Sequence, residues 1–170
     1  MSSSRRSIPR AYLAGLLAAI LLPTGCGDDR PADFTYRPPE GWRVLELLET
    51  GLPFPVAAGP SARGVVPTIS VERATLVGDL EAFVDLAMID VLSSQPGYRL
   101  LARRDAPLAD GRAAVRVTAE VEDGARTLRL LQLVTSDDDT AFVVTCSRAA
   151  GDDAATDAAF EAALATFVTG

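Results

Sequence analysis

The sequence predicts an α+β fold: an antiparallel β-sheet flanked by helices, preceded by a cleaved N-terminal signal. Three observations predict it. Two Asp-Gly pairs, Asp110-Gly111 and Asp123-Gly124, flank a run of alternating side chains from Arg112 to Val121, the signature of hairpin strands. Two separate segments, one after Asp79 and one near the C-terminus, repeat apolar residues at helical spacing. The first 25 residues carry the three zones of a secretory signal.

In that signal, Met1 to Arg10 is positive (Arg5, Arg6, Arg10), Ala11 to Leu22 is apolar and Pro23-Thr24-Gly25 precedes Cys26. A spanning helix needs roughly 20 apolar residues, so the apolar run is too short to stay in a membrane. Plain secretion needs no cysteine directly after the small residues. A lipoprotein signal does, because the thiol becomes the lipid acceptor and the new N-terminus. Cys26 is therefore the expected lipidation site, with simple secretion as the alternative. The usual Leu three residues before the cysteine is Pro23 here. Each buried CH₂ contributes about 0.8 kcal/mol, so two or more acyl chains hold a protein stably on a membrane. The expected organisation is signal 1–25, polar tether 26–33 and one domain over 34–170, a length that suits one core.

Within the domain, Phe34 to Tyr36 reads as a short strand turning at Pro38-Pro39-Glu40-Gly41, and Trp42 to Leu47 as a second strand. Leu52 to Pro67 is rich in Gly and Pro and reads as an irregular loop. Thr68 to Thr75 alternates, placing Ile69, Val71 and Arg73 on one face. Asp79 is a good N-cap for a helix with Leu80, Phe83, Val84, Ala87 and Val91 inward, ending before Pro96-Gly97. Tyr98 to Arg104 is a strand. In Arg112 to Val121, Val115, Val117, Ala119 and Val121 face one way and Arg116, Thr118 and Glu120 the other. Thr127 to Thr135 and Ala141 to Ser147 complete a meander around Ser136-Asp137-Asp138-Asp139. A last helix starts near Asp152-Asp153 and packs Phe160, Leu164 and Phe167 at i, i+4, i+7.

Composition excludes much chemistry. All 16 basic residues are Arg, and the chain has no Lys, His or Asn. Without His there is no imidazole base, no Ser-His or Cys-His pair and no His metal ligand; without Lys there is no Schiff base or phosphate-loop lysine. No GxSxG or GxGxxG motif occurs. Removing the signal takes three of the 16 Arg and no acid, leaving 13 against 23 Asp plus Glu, a net charge of −10. Such a domain repels nucleic-acid phosphates, so no nucleic-acid partner is expected. No cofactor or metal is expected either.

The quoted elements, with Phe34-x-x-x-Pro38-Pro39-Glu40-Gly41-Trp42, Asp79-Leu80-Glu81-Ala82-Phe83-Val84, Tyr98-x-Leu100-Leu101, Asp110-Gly111-Arg112-Ala113-Ala114 and Phe160-x-x-x-Leu164-x-x-Phe167, resemble the PsbP/DcrB-like lipoproteins. The resemblance covers nearly the whole mature domain. It implies an α/β/α sandwich, similar to photosystem II extrinsic proteins and a Ran-binding import factor, used for binding partners and not for catalysis. It carries no catalytic motif onto this chain.

Several residues have two readings. A lipidated Cys26 leaves Cys146 unpaired, either as a small buried apolar side chain or as a thiol activated by Arg148. Asp137-Asp138-Asp139 is a solvated turn or a calcium site lacking the usual spacing. Arg99, Arg103 and Arg104 form a polar edge or an anion patch, with alternation separating Arg103 from Arg104. Phe34, Tyr36 and Trp42 close the sheet edge as an aromatic cluster or line a ligand or partner surface. The leading functional expectation is a membrane-tethered accessory module, facing the periplasm or exterior, that docks on an envelope protein. The second is a carrier or sensor of a small or lipidic ligand between sheet and helix. The third is an enzyme built on carboxylates such as Glu72 or Glu120, for which no paired acidic motif exists.

Overall fold

Residues 34–45, 55–151 and 153–169 are described by the computed structural model; Cys26, the signal at 1–25 and the tether at 26–33 lie outside them. Along the chain run β1 (Phe34–Thr35), β2 (Arg43–Leu45), β3 (Val56–Ala58), β4 (Thr68–Thr75), α1 (Leu80–Ser94), β5 (Arg99–Asp105), β6 (Ala114–Asp123), β7 (Arg126–Asp137), β8 (Thr140–Ala149), α2 (Ala154–Leu164) and β9 (Val168–Thr169). Seven strands form one antiparallel sheet in the order β2-β3-β4-β8-β7-β6-β5, while β1 and β9 pair separately. This is the expected α+β fold, with α1 packed on one face of the sheet and α2 on the other.

Local chemistry explains the elements. The β6–β7 hairpin turns at Gly124 (φ +61°), pairing Asp123 with Arg126. The β7–β8 hairpin turns at Asp138 (φ +47°), a left-handed position that Asp tolerates through its short polar side chain. Strand β8 lies mid-sheet and is buried without a break from Ala141 to Arg148, since it has a layer on each face. Asp79 caps α1 by accepting the Ala82 N–H at 2.8 Å. Asp153 caps α2, accepting from Thr156 N at 3.1 Å and Thr156 Oγ1 at 2.8 Å, and those bonds hold its carboxyl below the usual range.

Alternation sorts neighbouring residues into two cores. Val143 joins Phe83, Val84, Val115, Val117 and Val134 beneath α1. Val144 joins Ile69, Val71, Leu133, Phe142 and Phe160 beneath α2. Arg73 shares that second face, as expected, with its guanidinium carbon 5.8 Å from the centre of the Phe142 ring.

The structure differs from expectation in four places. The segment read as an irregular loop contains β3, where buried Val56 and Ala57 pair with Ser70 and Ile69. A three-residue strand between Pro55 and Gly59 is too short to alternate legibly. Helix α2 ends at Leu164, and Phe167 follows it, through a turn in which Thr166 Oγ1 donates to Ala163 O at 2.8 Å. Phe167 nevertheless reaches the same core because β9 turns it inward. Strand β1 ends at Thr35, one residue short of the expected Tyr36, and pairs with β9, Phe34 opposite Thr169. Strand β6 starts at Ala114, because Arg112 and Ala113 belong to a loop in which Arg112 N donates to Asp110 Oδ1 at 3.1 Å. Of the expected second strand, Glu46 and Leu47 fall outside the described residues.

Candidate binding surface

Strand β5 is a sheet edge: among the described residues it pairs with β6 alone, and all seven of its residues are exposed. A bulge at Leu101 shifts its register between Leu100 and Ala102. The register separates its arginines as alternation requires. Arg103 lies opposite Val117 on the α1 side, and its guanidinium bonds both Glu81 and Asp85 of α1. Those ion pairs place Glu81 and Asp85 on the flank of α1 that overhangs β5.

Helix spacing carries that flank onward. Ile89 and Leu92, four and seven residues after Asp85, are 64 % and 53 % exposed, and Leu86 is 57 % exposed. Leu100 and Leu101 of β5 are also exposed. A single exposed leucine is ordinary, whereas several large apolar side chains gathered on one helix and the strand beside it make a candidate contact surface.

On the α2 side the same strands carry charge. Register lines up Arg99, Glu120, Arg129 and Arg148 across β5 to β8, and sets Arg104 directly opposite Arg116. Glu120 Oε1 accepts from Arg129 Nε at 3.1 Å and Nη2 at 2.7 Å, and Arg99 holds the other oxygen. The Arg129 bonds first, then Arg99, hold the Glu120 carboxyl below its usual range. Arg148 is buried and bonds Asp157 at 2.6 and 2.7 Å and the carbonyls of Ala149 and Gly151, so it locks the first turns of α2 to β8. It is therefore no activator of Cys146. That thiol is fully buried, and burial pushes its pKa far up, with Arg116 opposing and Glu161 adding to the shift.

The aromatic residues read from the sequence gather on the α2 face. Phe34 stacks on Phe167 at 5.8 Å and meets Phe142 edge-on at 6.0 Å, while Trp42 meets Phe160 edge-on at 5.6 Å. Tyr36 packs on the same core, and burial first, then Cys146, pushes its hydroxyl up to about 12. Gly59 lies under the Trp42 ring, where a Cβ would come within 2.6 Å.

The two carboxylates considered for catalysis are not brought together. Glu72 lies opposite Val143 on the α1 face and Glu120 on the α2 face. Glu72 Oε1 is buried with no hydrogen-bond partner, and burial raises its carboxyl to about 7. The acidic turn is structural: Asp137 pairs with Arg112 at 3.0 Å and Asp139 O accepts Leu76 N at 2.8 Å. Between α1 and the sheet, Phe83, Met88, Tyr98, Val117, Gln132 and Val143 help to line a cavity of about 30 Å³. That is room for about one water, against roughly 300–1,000 Å³ for a small-molecule pocket.

No protein-family model and no curated protein matches the sequence. Solved structures do match the fold. PA94, a protein of unknown function from Pseudomonas aeruginosa, is 19 % identical with a TM-score of 0.62, covering 82 % of this chain and 99 % of its own. LpqN, involved in cell envelope biogenesis in Mycobacterium tuberculosis, is 20 % identical with a TM-score of 0.59, covering 85 % and 88 %. Cyanobacterial PsbP from Synechocystis is 15 % identical with a TM-score of 0.56, covering 86 % of this chain and 98 % of its own. The fold is PsbP-like. The polar edge expected at Arg99, Arg103 and Arg104 is strand β5, whereas the apolar helix flank above it was not expected from the sequence. The signal for that flank was present: Leu86, Ile89 and Leu92 do not fit the inward stripe of α1, and an apolar residue off the stripe of a helix asks for a second contact. Among the described residues no helix is long and apolar enough to cross a membrane.

Proposed function

We propose that this protein is a non-catalytic accessory module, lipid-anchored through Cys26 at a bacterial cell envelope, that docks on an envelope protein. The observation that carries the reading is the apolar flank of α1 (Leu86, Ile89, Leu92) beside the exposed edge strand β5. Apolar side chains so grouped gain by being covered, at roughly 25 cal/mol per Å² buried. The small cavity beneath α1 speaks for a surface partner and against an enclosed ligand. The PsbP-like LpqN, itself involved in envelope biogenesis, supports the place of action by analogy of fold.

In-membrane crosslinking from reporters beside α1 tests the docking. One envelope protein should recur as adduct with the wild type and disappear with Leu86→Asp/Ile89→Asp, whose exposed sites leave the fold intact. Absence of any recurrent adduct overturns the docking role. Cys26→Ser should move the protein from the membrane fraction to the soluble one and remove the lipid mass; unchanged membrane retention overturns the anchor.

A further inference from the structure

We propose that the free edge of β5 takes an extended segment of another envelope protein as an eighth strand, one whose side chains alternate between acidic and apolar. The proposal names the partner chemistry of the docking surface above and rests on that reading. An added strand bonds the outer backbone groups of β5 and points alternate side chains to the two faces of the sheet. The bulge at Leu101 leaves Ala102 to Asp105 as the straight part that pairs.

The two faces ask for different side chains. On the α2 face, Arg104 stands opposite Arg116, a like-charge pair that costs stability. Among the described residues no carboxylate pairs with Arg104. Glu161 places both its oxygens on Nη1 of Arg116, whose Nε is buried without a partner. A carboxylate arriving beside Arg104 relieves that repulsion. On the α1 face, Arg103 is already held by Glu81 and Asp85, and what stands exposed there is Leu92, Ile89 and Leu100. That side favours apolar residues. A second copy fits poorly, since β5 carries three Arg and one Asp and would meet its own charge. An anionic bilayer supplies no strand to bond the edge.

The test uses the full chain in detergent and a labelled ten-residue peptide alternating Glu and Val, read by fluorescence anisotropy. Binding is expected, at least tenfold weaker for the Gln-Val analogue and lost when the Glu-Val peptide is N-methylated at alternate residues. Arg104→Glu should weaken binding at least tenfold, while Arg37→Glu, an exposed arginine on the β1 side, leaves it unchanged. Equal binding of the N-methylated or Gln-Val peptide, or indifference to Arg104→Glu, overturns the proposal. So does binding to phosphatidylglycerol vesicles with none to the peptide, or sedimentation as a dimer that excludes it. A recurrent crosslinked partner without peptide binding overturns only the strand addition; peptide binding without any partner in membranes overturns the docking role.

Discussion

The two faces of the sheet are covered by one helix each, yet they are built differently. The α2 face is sealed with rings: Phe34, Phe142 and Phe167 pack with centroids about 6 Å apart, and Trp42, edge-on to Phe160, closes the margin over Gly59. The α1 face is largely aliphatic, with Val115, Val117, Val134 and Val143 under Phe83 and Val84. A small cavity remains there, with Phe83, Met88, Tyr98 and Val117 among its lining residues. Both faces bury polar groups: Ser70 Oγ and Glu72 Oε1 have no partner on the α1 face, and Arg116 Nε has none on the α2 face. The outer surface of α1 leaves three large apolar residues in water, whereas none of the large exposed apolar residues belongs to α2. The difference divides the sheet: one face is closed by rings, and the helix over the other keeps apolar surface in water, the surface on which the proposed docking rests.

Four substitutions break or sharpen that contrast. Phe160→Ala empties the centre of the sealed face and should cost about 4 kcal/mol in chemical denaturation, since the rings around it cannot collapse into the space. Glu72→Gln acts on the other face and depends on pH. The Glu72 carboxyl is raised by burial to about 7, so the folded state holds the proton longer than the unfolded chain does. Stability conferred at low pH is then lost as pH rises from about 4.5 to about 7. Glu72→Gln should flatten that loss and leave the variant up to about 2 kcal/mol more stable at pH 8; denaturation midpoints across pH 5 to 8 check it, and parallel curves for both proteins would refute it. Gly59→Ala drives a methyl into the Trp42 ring and should cost about 2 kcal/mol, with the tryptophan emission shifted to longer wavelength. Ile89→Ser, on the open face, should change stability by less than about 0.5 kcal/mol while weakening crosslinking to the envelope partner. A large loss of stability there would show that the α1 flank is covered within the molecule itself.

Much of this was legible in the primary structure. Alternation at Val115 to Val121 assigned the inward face of β6, and Asp79 and Asp153 marked the helix starts by the chemistry of capping. The edge position of β5 was only half legible: its charges suggested an edge, but that β4 pairs with β8 across the whole meander, leaving β5 outermost, depends on contacts far apart in the chain. Strand β3 escaped because three small residues between a Pro and a Gly carry too little pattern. The aromatic residues Phe34, Tyr36 and Trp42 were visible as a cluster, but their seat on the α2 core was not.

The sequence by itself determined the α+β class, the turns, the caps and the absence of His and Lys, because each follows from the chemistry of single residues and their near neighbours. It also raised the expectation of lipidation at Cys26, which lies outside the described residues. Only the tertiary structure decided which strand stands at the edge, that Arg148 serves Asp157 and not Cys146, and that Arg104 faces Arg116. Those are outcomes of strand order and register, which rest on burying two faces at once, and no local rule contains them.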